Sequence, residues 1–194
     1  PGRVAVIHRQ GKLGYASAVR AGLRFCYDLG FEILITMDCD HSHDPSVVPV
    51  MLDKIRGADM VIGSRYVPGG GTVGWPWYRR LLSRAGGAIA RALTGMTIRD
   101  PTGGFRAFRR DLLDRIGVWN TTAEGYGFLT ETAFRAWLVG ARIVEVPIIF
   151  RDRTRGKSKL SKRIILEAAR LVLVLGWASR WPPARRRYLE EMER

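Results

Sequence analysis

The chain has 194 residues, 46% of them hydrophobic, with 22 glycines and 6 tryptophans, enough for one real core and too structured in pattern for a disordered or low-complexity protein. Its 32 Lys and Arg against 18 Asp and Glu give a net charge of +14, which points to anionic partners: phosphates, nucleic acid or an acidic membrane surface. Two cysteines, Cys26 and Cys39, exclude a disulfide framework, and the longest apolar stretch, 164 to 181, is broken by Glu167 and Arg170 and falls short of a bilayer span.

An apolar run, "RVAVIH" (3 to 8), predicts a first strand, and its position at the very start predicts that the sequence begins inside a larger protein. A helix follows over about 15 to 29, with Val19, Leu23 and Cys26 on one face, and then a strand, "FEILITM" (31 to 37). That is a β-α-β rhythm. Asp44 and Pro45 read as an N-cap and a first-turn proline, opening a helix over 45 to 56 in which Val48, Met51, Leu52 and Ile55 recur at helical spacing. "DMVIG" (59 to 63) predicts another strand, so the first third of the chain reads as an open, largely parallel α/β sheet with helices on both faces. "VPGGGTVGWP" (67 to 76) is too rich in Gly and Pro for a regular element. An amphipathic helix over 77 to 95 then carries Arg79, Arg80 and Arg84 in its first half. "GGFRAFR" (103 to 109) alternates as a strand, "RDLLDRIG" is a short helix, 128 to 140 a longer one, and 142 to 150 a last strand. The segment after it, "RDRTRGKSKLSKR" (151 to 163), holds seven Lys or Arg in 13 residues.

Chemistry concentrates in "DCDHSHDP". In a strand, residues i and i+2 face one side roughly 6 to 7 Å apart. Two ionised carboxylates at that distance repel by about 2.5 kcal/mol at an effective dielectric of about 20. Asp38 and Asp40 therefore want a cation, and the C-terminal end of such a strand is where open α/β sheets bind ligands. A hard divalent ion that keeps waters and accepts substrate phosphates suits them. Zinc needs three or four His or Cys ligands at chelating spacing, whereas Cys39, His41 and His43 crowd beside two acids with no second cluster. The bland readings are that one Asp only caps a turn and that His43 is a solvated turn residue. A metal-bound diphosphate needs cations on its other side, and Arg153, Arg155, Lys157 and Lys159, around Gly156, supply them unless that run is merely a solvated loop. Dispersed aromatics, no nucleic-acid motif and two acids at the site speak against a nucleic-acid partner.

"LITMDCDHSHDP", "VIGSRYVPGGG", "YRRLLSRAGG", "DPTGGFRAFRRDLL", "EGYGFLTE" and "VPIIFRDRTRGKSKLS" are similar, in order and spacing from about residue 3 to 163, to the polyprenol- or dolichol-phosphate mannose synthases. These are inverting family 2 glycosyltransferases of GT-A fold. The resemblance implies an open mixed sheet flanked by helices with its N-terminal strands missing, a catalytic domain over 1 to 163, and an amphipathic, membrane-interface helix with a basic tail over 164 to 194. It implies transfer of mannose from GDP-mannose to a polyprenyl (dolichyl) monophosphate, with Mg2+ or Mn2+, at the cytoplasmic face of a membrane. Attachment would be peripheral, to an anionic surface, with a separate membrane-anchoring subunit or domain as a further partner. Asp38, Cys39, Asp40, Arg65, Arg153 and Lys159 fall on donor-binding positions, Asp38, Asp40 and Ser42 on metal positions, and Arg79 and Ser83 near the acceptor phosphate. Asp40, Arg65 and Arg79 are the residues expected to carry catalysis. Cys39 replaces the family's usual Ala, Ser42 stands where some members have Gln, and Asp100 and Glu131 lie in motifs without an assigned role.

The acceptor chemistry agrees independently. A phosphate monoester, with second pKa about 6, is already largely a dianion at neutral pH and needs no general base. Arginines and a metal suffice for positioning and charge stabilisation. The family's Pro-x-Tyr-Asn-Glu and Asp-Asp-Gly-Ser motifs, which hold the nucleoside, do not occur in this sequence. Weak or absent activity of the chain alone is therefore expected, and the alternatives are a UDP-sugar-dependent polyprenyl-phosphate glucosyltransferase or a non-catalytic fragment or partner subunit. In the tail, Leu171, Leu175 and Trp177 or Trp181 are available either to a membrane interface or to packing on the domain.

Overall fold

A computed structural model describes residues 4–152 and 162–193. Helix α1, Gly14–Asp28, buries Ala16 and Leu23 and packs Val19 and Cys26 against the core, the face its periodicity predicts. Gly30, with φ +82°, turns the chain into β1, Ile33–Thr36. Residues 4–8 form no strand: Val4, Val6 and Ile7 are 87%, 74% and 43% exposed. An apolar run becomes a strand only where a neighbouring edge accepts its backbone groups, and residues 4–8 pair with no strand among the described residues.

Asp44 caps the next segment by accepting from the Ser46 N–H at 2.9 Å. The predicted helix over 45 to 56 is a composite: a 3-10 turn, Pro45–Val47, then α2, Val48–Lys54, then another 3-10 turn, Ile55–Gly57. Met51 and Ile55 are fully buried, while Leu52 is exposed. Strand β2, Met60–Ser64, is buried throughout. Strand β4, Arg106–Arg109, runs antiparallel between β1 and β2, with Thr36 opposite Arg106 and Met60 opposite Phe108. Strand β5, Ile143–Pro147, lies parallel to β2, completing the order β1-β4-β2-β5. The sheet is thus mixed. The expectation of a largely parallel sheet fails because a strand from the middle of the chain inserts between β1 and β2.

Alternate residues feed two cores. Leu34, Met60, Ile62 and Phe108 join α1 and two further helices, α4 (Arg110–Arg115) and α5 (Gly127–Leu138), on one face. Val61, Ala107, Val146 and Ile148 meet Met51 and Ile55 on the other. The single strand expected over 142 to 150 breaks at Pro147, which has no N–H to donate. Ile148 bridges, donating to Ser64 O and accepting from the Gly71 N–H, and β6, Ile149–Arg151, then pairs parallel with β3, Gly71–Val73. A strand therefore forms inside the Gly- and Pro-rich stretch where none was expected, because β6 offers it an edge.

Helix α3, Trp77–Thr94, packs beside α6, Lys162–Arg180, and α7, Pro182–Glu193, folds back against α6. Leu175 and Met192 are buried in the larger core and Leu171 packs against it, so Leu171 and Leu175 do not face outward. Trp177 and Trp181 do, at 64% and 55% exposed. Gly117, with φ +53°, lets the body approach the α7 backbone so closely that a Cβ there would collide with the Met192 carbonyl.

Candidate active site

β1 ends at Thr36, whose hydroxyl donates to Gly104 O at 2.9 Å. The chain then runs through Met37, Asp38, Cys39 and Asp40 along an open cleft of about 500 Å³, which Tyr15 and Tyr126 also line. His41 has φ 63°, the only positive φ of a non-glycine among the described residues, and it turns the chain sharply. The Ser42 N–H donates to Asp40 Oδ1 at 3.1 Å, closing the turn, and Ser42 O accepts from the Arg151 N–H at 3.1 Å, tying it to β6.

His43 is not the solvated residue that its place beside Asp44 suggests. It is 5% exposed, stacked on Phe105 at 5.1 Å and edge-on to Phe150 at 5.4 Å. Its Nδ1 accepts from the Asp38 N–H at 3.1 Å. Burial lowers its pKa against the opposing pull of Asp38 and Asp40, which fits a neutral ring with its proton on Nε2. His43 thus fixes the backbone of Asp38. Behind Asp38, burial and then the Asp38 charge push the Tyr15 hydroxyl up to about 12. A Cβ at Gly104 would lie 3.0 Å from Tyr15 Oη and 3.9 Å from both Asp38 carboxylate oxygens, so glycine there lets the backbone close on the carboxylate.

Arg65, at the end of β2, forms a buried pair with Asp100. Nε donates to Oδ2 and Nη2 to Oδ1, both at 2.7 Å, and the Arg65 N–H also reaches Oδ2 at 3.0 Å. Burial pushes the Asp100 pKa up, but Arg65 outweighs it and holds the carboxyl below its usual range. The guanidinium sits among Tyr66, Trp75 and Phe150, 5.2, 5.4 and 5.7 Å from their rings. Asp100 gains further support from Arg106, which sequence reading missed. Fully buried, Arg106 donates to Gly103 O, Thr132 Oγ1 and Pro101 O, each at 2.7 Å, holding the 100 to 104 loop. Burial lowers its pKa to about 10, so it is charged at neutral pH.

Arg79 Nη1 pairs with Asp152 Oδ2 at 2.9 Å, and its guanidinium stands 4.1 Å from the Trp75 ring centre. Ser83 Oγ accepts from Tyr66 Oη at 2.6 Å. Tyr66 and Trp75 therefore draw Arg65, Arg79 and Ser83 into one cluster. Phe150 joins that cluster to the acidic turn, edge-on to Trp75 at 5.5 Å and to His43. Arg153 and Lys159 lie outside the described residues. Glu131, fully buried, accepts from the Ala123 N–H at 2.8 Å and from Arg135 Nη2 at 2.7 Å, shaping the loop that lays Tyr126 on Tyr15 at 5.2 Å. No motif of pairing or spacing marks His43 or Arg106 in the sequence; their hydrogen-bond partners are mostly backbone groups, with Thr132 Oγ1 the side-chain partner of Arg106.

For a metal, the turn offers oxygen donors. Asp38 and Asp40 face the cleft, and Ser42 Oγ is buried without a hydrogen-bond partner, so an oxygen-seeking cation fits this set better than zinc. Among the described residues no three His, Cys, Asp or Glu converge on one point.

The model of glycosyl transferase family 2 matches residues 1–117, a span that includes the acidic turn, Arg65, Arg79, Asp100 and Arg106. The chain belongs to glycosyltransferase family 2. This family 2 enzyme is 44% identical over 184 residues to an undecaprenyl-phosphate mannosyltransferase of Micrococcus luteus, covering 95% of this chain and 76% of that protein. It is 41% identical over 186 residues to a polyprenol monophosphomannose synthase of Mycolicibacterium smegmatis, covering 95% and 70%. Among solved structures, glucosyl-3-phosphoglycerate synthase from Mycobacterium tuberculosis, in complex with Mn2+, UDP-glucose and glycerol 3-phosphate, superposes with a TM-score of 0.55 at 19% identity. That match covers 86% of this chain and 55% of the other and shows that the family 2 enzyme has the GT-A type of fold, an open mixed sheet flanked by helices.

Proposed function

We propose that this glycosyltransferase moves mannose from GDP-mannose to a polyprenyl monophosphate, by a single in-line displacement that inverts the sugar. The observation that carries the proposal is the meeting of an acidic, oxygen-donor turn with an arginine cluster across Phe150. The first suits a metal-bound diphosphate, the second an anionic nucleophile. The mannosyl sugar and the polyprenyl acceptor come from the names of the relatives in Micrococcus and Mycolicibacterium.

In this reading Asp38 and Asp40, with Ser42, hold Mg2+ or Mn2+, which when bound supplies positive charge to the leaving diphosphate. His43 and Tyr15 keep Asp38 oriented. Arg153 and Lys159 bind donor phosphates, and Cys39 lies against the donor. Arg79 and Ser83 hold the acceptor phosphate. Arg65, with two nitrogens committed to Asp100, presents a fixed positive charge beside the donor and acceptor phosphates rather than a mobile clamp. The phosphate acceptor arrives deprotonated, so the site does not depend on a general base.

Residues 1–163 would be the catalytic part and 164–194 the part that meets the membrane, at its cytoplasmic face. No helix among the described residues is long and apolar enough to cross a membrane. Support for peripheral attachment comes from Leu166, Leu173 and Trp177 on α6, Trp181 just after it, and Trp77, Tyr78 and Leu81 on the adjoining α3, all exposed, with Arg180 and Arg185 to Arg187 nearby in sequence.

The test is to incubate the chain with undecaprenyl phosphate, Mn2+ and radiolabelled GDP-mannose or UDP-glucose and to count lipid-extractable label. Lipid-linked mannose supports the proposal. Label from UDP-glucose alone would replace the donor, and none from either would make the chain a non-catalytic fragment or partner.

A further inference from the structure

Two buried side-chain polar atoms among the described residues lack a hydrogen-bond partner, Ser42 Oγ in the acidic turn and Trp75 Nε1 in the arginine cluster. A buried N–H without an acceptor costs about 1–3 kcal/mol, so its persistence asks for an explanation. The surroundings of Trp75 are cationic. Arg79 and Arg65 stand 4.1 and 5.4 Å from its ring centre. Trp75 also immediately precedes Pro76, the N-cap of α3, which contributes no side-chain cap. The first turn of α3 has no acidic residue and carries Arg79 and Arg80 at the positive end of the helix dipole, a setting that favours an anion. The carboxylate that now answers Arg79 is Asp152, packed close to Gly74, where a Cβ would come 3.2 Å from Asp152 Cβ.

We infer that Trp75 is a further acceptor-binding residue, its indole N–H donating to an oxygen of the acceptor's phosphate monoester when that phosphate takes the place of Asp152 on Arg79. The inference rests on the acceptor reading above and adds a donor to Arg79 and Ser83. A tetrahedral phosphate presents oxygens at more than one level and can accept from a guanidinium and from the ring it stacks on. The indole also adds directional selectivity. A neutral N–H adds direction without charge, so it favours a terminal phosphate lying along the Arg79–Trp75 stack over an anion held by charge alone.

The test is an NMR titration of the 194-residue chain labelled with 15N at its tryptophan indoles, with farnesyl phosphate as probe and farnesol as control. The Trp75 resonance is assigned by its loss in Trp75→Phe, which keeps an aromatic ring for Arg79. The expected result is a saturable downfield shift of the Trp75 indole proton with farnesyl phosphate and none with farnesol. Trp75→Phe should bind farnesyl phosphate about tenfold more weakly, with its affinity for GDP and Mn2+ unchanged. A Trp75 resonance that stays put while farnesyl phosphate binds would overturn this inference and leave the acceptor reading intact, as would equal affinity in a folded Trp75→Phe. If farnesyl phosphate does not bind the wild-type chain, the acceptor reading fails and this inference falls with it. Should Trp75→Phe fail to fold, the 15N-edited shift in the wild type, assigned by sequential methods, decides alone.

Discussion

Asp38 and Arg65 owe their positions to residues that never need to touch substrate. The Asp38 backbone is fixed by His43, and Arg65 is locked by Asp100 on a loop that Arg106 holds from below. Replacing His43 by Phe keeps the stacking on Phe105 but removes the acceptor for the Asp38 N–H. It should weaken Mn2+-dependent donor binding about 10- to 100-fold, as loss of a supporting partner behind a metal ligand does, measured by calorimetry. Asp100→Asn leaves the Arg65 cation buried without its counter-charge and should cost about 3–5 kcal/mol in urea denaturation. Because Asp100 has a folded pKa below its unfolded value, the pair's contribution is full above about pH 4 and is lost as pH falls through the depressed folded value. The stability gap between wild type and Asp100→Asn should therefore narrow in acid. At this scale the sequence showed the charged motif residues but not their supports. The spacing of Asp38 and Asp40 is visible to the eye, whereas the role of His43 depends on a backbone N–H five residues away and on two rings from β4's approach and β6.

Most helices and strands follow from periodicity, which reports the buried face of an element. Periodicity carries no information on which edge an element joins. That is why β1, β2 and β4 were legible as strands while the antiparallel insertion of β4 was not, and why the run over 142 to 150 concealed a change of sheet at Pro147. The apolar run at 4–8 shows the same limit from the other side, since its composition is strand-like and its exposure is not. Helix α6 divides its apolar residues between two destinations. Leu175→Ala, in the core, should destabilise the fold by about 2–5 kcal/mol. Trp177→Ser combined with Trp181→Ser should change stability by only about 0.5 kcal/mol, yet reduce co-sedimentation with vesicles containing anionic lipid. Unchanged vesicle binding in that double variant would remove α6 from the membrane-facing surface.

Across the whole molecule, an excess of +14 surrounds a site whose central feature is acidic, and the two make sense together if a cation and phosphates are brought between them. The composition pointed to anions without naming them; under the proposed function the acidic turn would take a metal-bound diphosphate and the Arg79 cluster, reached across Phe150, the acceptor phosphate. The most direct measurement is the yield of lipid-linked mannose from GDP-mannose and undecaprenyl phosphate, compared with Mn2+, with chelator, and in Asp40→Asn. The expected result is product that forms with Mn2+, vanishes with chelator and falls at least about 100-fold in Asp40→Asn. Product formed equally well in chelator, or undiminished in Asp40→Asn, would contradict a metal-held diphosphate at this turn.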